Sequence, residues 1–180
     1  RGGSEKFHGA VIDHNGKASG RVFEDVKQVG ISLEKLDEIC GTKTDAKVAI
    51  IYDHKNCWAL SNASGFINAD KKYVKTCLQH YKSFWKRGVD VDVISTGEDL
   101  NSYDLVVMPM LYSLTQEQID RIESYVAGGG TAVATYATGY VDDTDLCYLG
   151  GFPGNQLKDV FGLTADEIDS LYETDKNAVL

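Results

Sequence analysis

Apolar and polar positions alternate between two patterns along most of this chain. Val48-Ala49-Ile50-Ile51-Tyr52 is an unbroken apolar run, and Leu105-Val106-Val107-Met108, ending at Pro109, is another. Segments 89–94 and 131–136 are also rich in β-formers. Runs of this kind suit strands covered on both faces, and the spacing predicts strands over 47–52, 89–94, 104–108 and 131–136. Between them the period changes. Val74, Cys77, Leu78, Tyr81, Phe84 and Trp85 recur at helical spacing before Gly88, which predicts a helix over about 70–87. Thr115 and Gln118 form a capping box with Leu114 and Ile119 as its hydrophobic staple. Ile119, Ile122 and Val126 then face inward until Gly128-Gly129-Gly130 breaks the helix. The order strand, loop, helix, strand, strand, loop, helix, strand implies right-handed crossovers: an α/β fold with an open, parallel, doubly wound sheet. The first strand runs into Asp53-His54-Lys55-Asn56-Cys57-Trp58, the start of a long predicted loop over 53–69. Ligands of open α/β sheets bind outside the carboxyl ends of the strands, so this loop belongs on the functional edge.

The flanks read differently. Phe7 to Ile12 has the composition of a short strand, with His8 and His14, Glu5 and Asp13 around it. Val22, Val26, Val29, Leu33 and Leu36 lie on one face of a helix that starts at Ser19 or Gly20 and ends at Gly41. Thr42 to Ala46 is a polar linker and the expected domain boundary. The last third holds Asp142-Asp143-Thr144-Asp145, then Gly150-Gly151-Phe152-Pro153-Gly154, then a short helix near 155–161. Residues 164–180 fit either a helical turn or a closing strand.

Composition narrows the function classes. The 180 residues are 43% apolar, enough for a real core, with a net charge of −9 and a pI near 4.8. An acidic chain without a basic stripe is a poor partner for nucleic acid or for anionic membranes. Cysteines 40, 57, 77 and 147 form no Cys-x-x-Cys and no zinc-type spacing with histidine, the usage of a reduced cytoplasmic protein. No signal peptide or membrane-spanning run is apparent, and the opening Arg-Gly-Gly-Ser suggests an excised piece of a longer chain.

Most candidate chemistry is outweighed by a plainer account. The triple glycine follows a helix and precedes a strand, the reverse of a phosphate loop, so it reads as a helix stop. The turn after the fourth strand, Thr135-Tyr136-Ala137-Thr138-Gly139, stands where a nucleophile elbow would, but no Ser or Cys occupies it. Asp53, His54 and Cys57 are a weak metal or Cys–His candidate, because neighbours at a strand end point to opposite sides. Asp142, Asp143 and Asp145 lack the alternation and closing glutamate of a calcium loop. No cofactor and no metal is expected. Trp58 is a candidate interface anchor.

Several segments together carry a family resemblance. Arg1-Gly2-Gly3-Ser4-Glu5-Lys6-Phe7-His8-Gly9-Ala10 resembles the segment closing the catalytic barrel of glycoside hydrolase family 42 β-galactosidases. Arg21-Val22-Phe23, Tyr52-Asp53 with Trp58-Ala59-Leu60, Tyr103 to Tyr112, Asp142 to Cys147 and Gly150 to Gly154 continue it in order. The resemblance implies that residues 1–43 end a (β/α)8 barrel. It implies that 47–180 form a homotrimerising domain of flavodoxin-like or class I glutamine amidotransferase-like fold, without that class's cysteine. It further implies hydrolysis of terminal non-reducing β-D-galactosides with retention, by two glutamates upstream of Arg1. By resemblance Glu5 and His8 would bind galactose hydroxyls, and this piece would be inactive alone. The competing reading is an independent small-ligand module, without catalysis, whose pocket is built by 53–69, 95–99 and 109–114. A cysteine enzyme built on Cys57 and His54 is a third.

Overall fold

The computed structural model describes residues 3–64, 71–168, 171 and 174–176. The chain divides into two compact units, Arg1–Thr44 and Asp45–Leu180.

In the first unit a 3-10 turn, Gly3–Glu5, precedes helix α1, Arg21–Glu34, and a second 3-10 turn spans Asp37–Ile39. The strand predicted over Phe7–Ile12 does not form. A strand needs a neighbour for its backbone groups, and the described residues of this unit contain no other strand; Phe7 is 83% exposed. Helix α1 starts where expected, after Gly20, but stops at Glu34 rather than at Gly41. None of its residues is buried. Val22, Val26, Val29 and Leu33 form an amphipathic face turned to solvent.

The second unit is built on four parallel strands, β1 Val48–Ile51, β2 Val91–Ile94, β3 Leu105–Met108 and β4 Thr131–Ala134, in the order β2-β1-β3-β4. Ile50 stands opposite Val93 and Val107, and Met108 opposite Ala134. The helices are α2 His54–Asn62, α3 Tyr73–Trp85, α4 Gln116–Ala127 and α5 Leu157–Phe161. Ala49, Ile51, Val106 and Met108 share one core cluster with Ile119, Ile122 and Tyr125 of α4 and Leu157 of α5. The alternate residues Val48, Ile50 and Val107 are buried as well, and α3 packs against β1 and β2. A second cluster, with Leu60, Tyr73, Cys77, Met110, Tyr112, Ala137 and Val141, caps the carboxyl ends of the strands.

Helix α4 forms as its sequence signals. Thr115 accepts from the Gln118 amide at 3.2 Å, and the Gln118 side chain accepts from the Thr115 amide at 2.8 Å. Leu114 and Ile119 are both buried. Gly130 has a specific steric role: a Cβ there would lie 2.2 Å from the ring of Tyr125, whose hydroxyl donates to the Tyr103 carbonyl at 3.0 Å.

Two expectations need correction. Segment 53–62 is helix α2, because Asp53 caps it by accepting from the Asn56 amide at 2.9 Å. Helix α3 starts at Tyr73 and buries Tyr73 and Cys77, whereas Val74, Leu78 and Trp85 of the predicted inward stripe are exposed. Of 164–180, Ala165 forms an isolated bridge with Phe152. Residues 65–70, the end of the predicted loop, lie outside the described residues, as do 169–170, 172–173 and 177–180. Among the described residues no helix is long and apolar enough to cross a membrane.

Candidate functional site

The carboxyl ends of β1, β3 and β4 meet around one buried side chain. Asn56, 1% exposed, donates from Nδ2 to the Met110 carbonyl at 2.9 Å. Its Oδ1 accepts from the amides of Tyr112 at 2.7 Å and Ser113 at 3.0 Å. Asp53, which starts the same helix, accepts from Asn56 on one oxygen and from the Thr96 hydroxyl at 3.0 Å on the other. Thr96 in turn accepts from Gln118 Nε2 at 2.8 Å. The Met110 amide donates to Thr135 Oγ1 at 2.7 Å. These bonds tie the first, second, third and fourth strand ends together and occupy the crevice where open α/β sheets bind ligands.

Two residues there hold left-handed backbone conformations, Met110 at φ 46° and Ala137 at φ 63°. Ala137 stands at the elbow position considered from sequence. No helix follows it, and the amide of Gly139 is engaged by the Leu111 carbonyl at 2.8 Å. A nucleophile elbow needs a nucleophile and a following helix; among the described residues this turn has neither. The buried Thr138 hydroxyl beside it has no hydrogen-bond partner among the described residues.

Cavities occur elsewhere. One of about 470 Å³ lies between the 97–101 loop and α4, lined by Glu98, Asp99, Glu117, Asp120 and Arg121 among others. Another, of about 410 Å³, lies between α2 and α3. Neither draws on 109–114, and the small-ligand reading is not favoured.

The remaining candidates are dispersed. The His54 ring sits edge-on to Tyr52 at 5.1 Å and tilted to Trp58 at 6.3 Å. Cys57 is half-buried on the same helix. The buried thiol is Cys77, pushed up to about 11 by burial, the opposite of a reactive cysteine. Tyr73, whose hydroxyl accepts from the Asp53 amide at 3.1 Å, is also raised well above its ordinary range by burial. The Asp142 carboxylate bonds the Thr144 hydroxyl at 2.7 Å and amide at 2.8 Å, and the Leu146 amide at 3.1 Å. Led by the Thr144 hydroxyl, these donors hold it below its usual value, and it shapes its own turn. No metal-holding group of His, Cys, Asp and Glu occurs among the described residues. Glu5 closes the first 3-10 turn, with its side chain outside the described set, and His8 is exposed three residues on. Trp58 is 68% exposed on α2.

Residues 46–180 match the family model described as the β-galactosidase trimerisation domain. The chain belongs to this family. The matched region begins one residue inside the second compact unit. The β-galactosidase Pbg of Clostridium perfringens is 50% identical over 99% of this chain and 26% of its own length. The β-galactosidase GanA of Bacillus subtilis is 46% identical over the same shares. Among solved structures, a catalytic mutant of a GH42 β-galactosidase from G. stearothermophilus is 47% identical, with a TM-score of 0.76, over 97% of this chain and 25% of that one. The chain therefore spans about a quarter of the relatives it matches. What sequence reasoning missed in this family member is the Asn56 clamp. Its signal was Asp53, a helix N-cap three residues earlier.

Proposed function

We propose that this chain is the assembly-forming part of a cytoplasmic, homotrimeric β-galactosidase that hydrolyses terminal non-reducing β-D-galactosides with retention. In this reading residues 1–43 are the end of the catalytic (β/α)8 barrel and 47–180 the trimerisation domain. The strand order β2-β1-β3-β4 agrees with a flavodoxin-like doubly wound sheet.

The observation that carries the reading is apolar surface left uncovered on both units. Helix α1 buries none of its residues, while Trp58, Val74, Leu78 and Trp85 face solvent on α2 and α3. Apolar stripes of this kind mark surfaces that meet other protein. The face of α1 suits the rest of a barrel, and Trp58 suits an anchor against a neighbouring subunit.

The chemistry belongs to two glutamates of the parent barrel, one acid/base and one nucleophile, as retaining glycosidases require. The contribution of this piece is position. Glu5 and His8 hydrogen-bond galactose hydroxyls and hold the ring in register with those carboxylates, contacts that strengthen toward the transition state. His8 is exposed, so its imidazole is open to such a contact.

The test is kcat/KM on a chromogenic β-galactoside for the parent and its Glu5→Ala, His8→Ala and Trp58→Ala variants, with solution mass measured alongside. The first two are expected to lose at least about tenfold, one or more hydrogen bonds to substrate, while remaining trimeric. Trp58→Ala is expected to weaken the trimer. Unchanged kinetics for Glu5→Ala and His8→Ala would reduce residues 1–18 to scaffold. Unchanged mass and activity for Trp58→Ala would remove it from the interface.

A further inference from the structure

We propose that His14 is a positioning residue for the Glu5–His8 element: its imidazole pins the backbone between the two residues that contact the sugar. This rests on the galactose-contact reading of Glu5 and His8 given above and adds the group that keeps them in place.

The element has little regular structure of its own. The 3-10 turn Gly3–Glu5 stops at Glu5, the expected strand over Phe7–Ile12 does not form, and Lys6, Phe7 and His8 are exposed. A stretch without helix or ladder bonds keeps its backbone freedom. Side chains carried on such a stretch cannot hold a sugar ring in one place, and poor placement costs rate.

One hydrogen bond reaches into this stretch. Nε2 of His14 lies 2.7 Å from the Lys6 carbonyl oxygen, eight residues back. A carbonyl oxygen can only accept, so this ring nitrogen carries a proton and donates it. It does so in the neutral Nε2–H tautomer and in the imidazolium alike, so the tie needs no charge. The pinned carbonyl belongs to the residue after Glu5 and stands two residues before His8. Consecutive Cα atoms are about 3.8 Å apart, so both sugar-contact residues hang on a short tether. With Nε2 engaged by the backbone, His14 acts through its neighbours rather than on substrate.

His14 is itself braced. It occupies the second position of a turn in which the Gly16 amide donates to the Asp13 carbonyl at 3.0 Å, with Gly16 at φ 72°. The Lys17 amide donates to Asn15 Oδ1 at 2.8 Å. The Asp13 carboxylate packs against Gly20, the residue before α1, so closely that a Cβ there would fall 2.2 Å from Asp13 Oδ2. The helix dipole favours a carboxylate at that end. Support thus runs from α1 through the Asp13 turn and His14 to the Lys6 carbonyl.

The experiment uses the full-length parent enzyme and steady-state kinetics on a chromogenic β-galactoside, with solution mass and thermal midpoint measured alongside. The variants are His14→Ala, His14→Gln, Glu5→Ala with His8→Ala, and that pair with His14→Ala added. The Gln side chain places an amide N–H close to where the imidazole Nε2–H stands, so it keeps the donor. His14→Ala is expected to lower kcat about tenfold while KM changes less than about threefold, with trimer and midpoint retained, because contacts that strengthen toward the transition state act on kcat. His14→Gln is expected to stay within about threefold of wild type. In the Glu5→Ala His8→Ala background, His14→Ala is expected to cost less than about twofold more, since nothing is left for it to position. Wild-type kinetics in His14→Ala, or an equal loss in His14→Gln, would overturn the proposal. So would a full further loss in the paired background, which would mean that His14 acts elsewhere, or a loss of activity that comes with loss of trimer or midpoint, the mark of a support for the fold. Unchanged kinetics in the Glu5→Ala His8→Ala pair would overturn the sugar-contact reading itself, and this role with it; a strong loss in that pair beside a wild-type-like His14→Ala would overturn the positioning role alone.

Discussion

Replacing Asn56 tests whether the strand-end crevice is held shut by this one side chain. In Asn56→Ala three hydrogen bonds disappear, to the Met110 carbonyl and to the amides of Tyr112 and Ser113. The Met110 carbonyl and the Tyr112 amide retain one another at 2.8 Å, so the group stripped of its acceptor is the Ser113 amide. Three bonds at about 1 kcal/mol each, with about 1 kcal/mol more for a stripped amide, give a loss of about 3–4 kcal/mol. The truncation also opens a cavity, which Asn56→Leu largely refills, so comparing the two separates lost bonds from lost volume. Urea unfolding of the chain, followed by far-ultraviolet circular dichroism, reads the effect as a lower midpoint at unchanged slope. Both variants are expected to lose at least about 2 kcal/mol. A loss below about 1 kcal/mol in Asn56→Leu would refute the clamp, since the bonds would then be worth no more than bonds to water.

Thr138 makes the opposite prediction. Its buried hydroxyl has no partner among the described residues, so Thr138→Val, nearly the same shape, is expected to stabilise the chain by about 1 kcal/mol in the same unfolding assay; destabilisation would mean that the hydroxyl is bonded after all. The cysteines differ in a pH-dependent way. Because burial raises the Cys77 thiol to about 11, its thiolate fraction at pH 8 is about one in a thousand, and it rises tenfold per pH unit toward that value. Thiol titration at pH 8 should therefore find Cys40 and Cys147, both exposed, reacting fast and Cys77 slow; equal rates would contradict its burial.

Much of the sheet was legible because its strands are short, nearly unbroken apolar runs, and α4 because its cap and staple are local signals. Three features were not, each for a physical reason. Helix α2 buries only Asn56 and Leu60 on its inner side, so it has almost no apolar period, and its one start signal, Asp53, also fits a loop. The stripe of α3 spans a wide arc, and periodicity gives the width of such an arc but not which side of it a single chain covers. Tyr73 and Cys77 went inside; Val74, Leu78 and Trp85 stayed out. Segment 7–12 has strand composition, but a strand is a property of a pair, and no partner strand stands among the described residues of its unit. Of the proposed site residues, Glu5 and His8 were reached through resemblance, and Trp58 through the contact area a tryptophan offers. Asn56 was missed because a buried carboxamide leaves no periodic trace.

The clamp and the exposed stripes are two sides of one allocation. In an open α/β sheet the strand ends offer polar groups that a ligand can bind. Here both oxygens of Asp53, the whole carboxamide of Asn56, the Thr135 hydroxyl and the Thr96 hydroxyl are already bonded within the chain. A ligand entering that crevice would first break these bonds and leave backbone groups stripped, at a cost of about 1–3 kcal/mol each, before gaining anything. The outer side chains carry no such obstacle. Trp58, Val74, Leu78, Leu146 and Leu149 are exposed already, so covering them releases hydrophobic free energy with no internal bond to break. The fold thus commits its usual binding edge to rigidity and offers its apolar gain on the outside, an arrangement that favours docking to protein over capture of a small molecule.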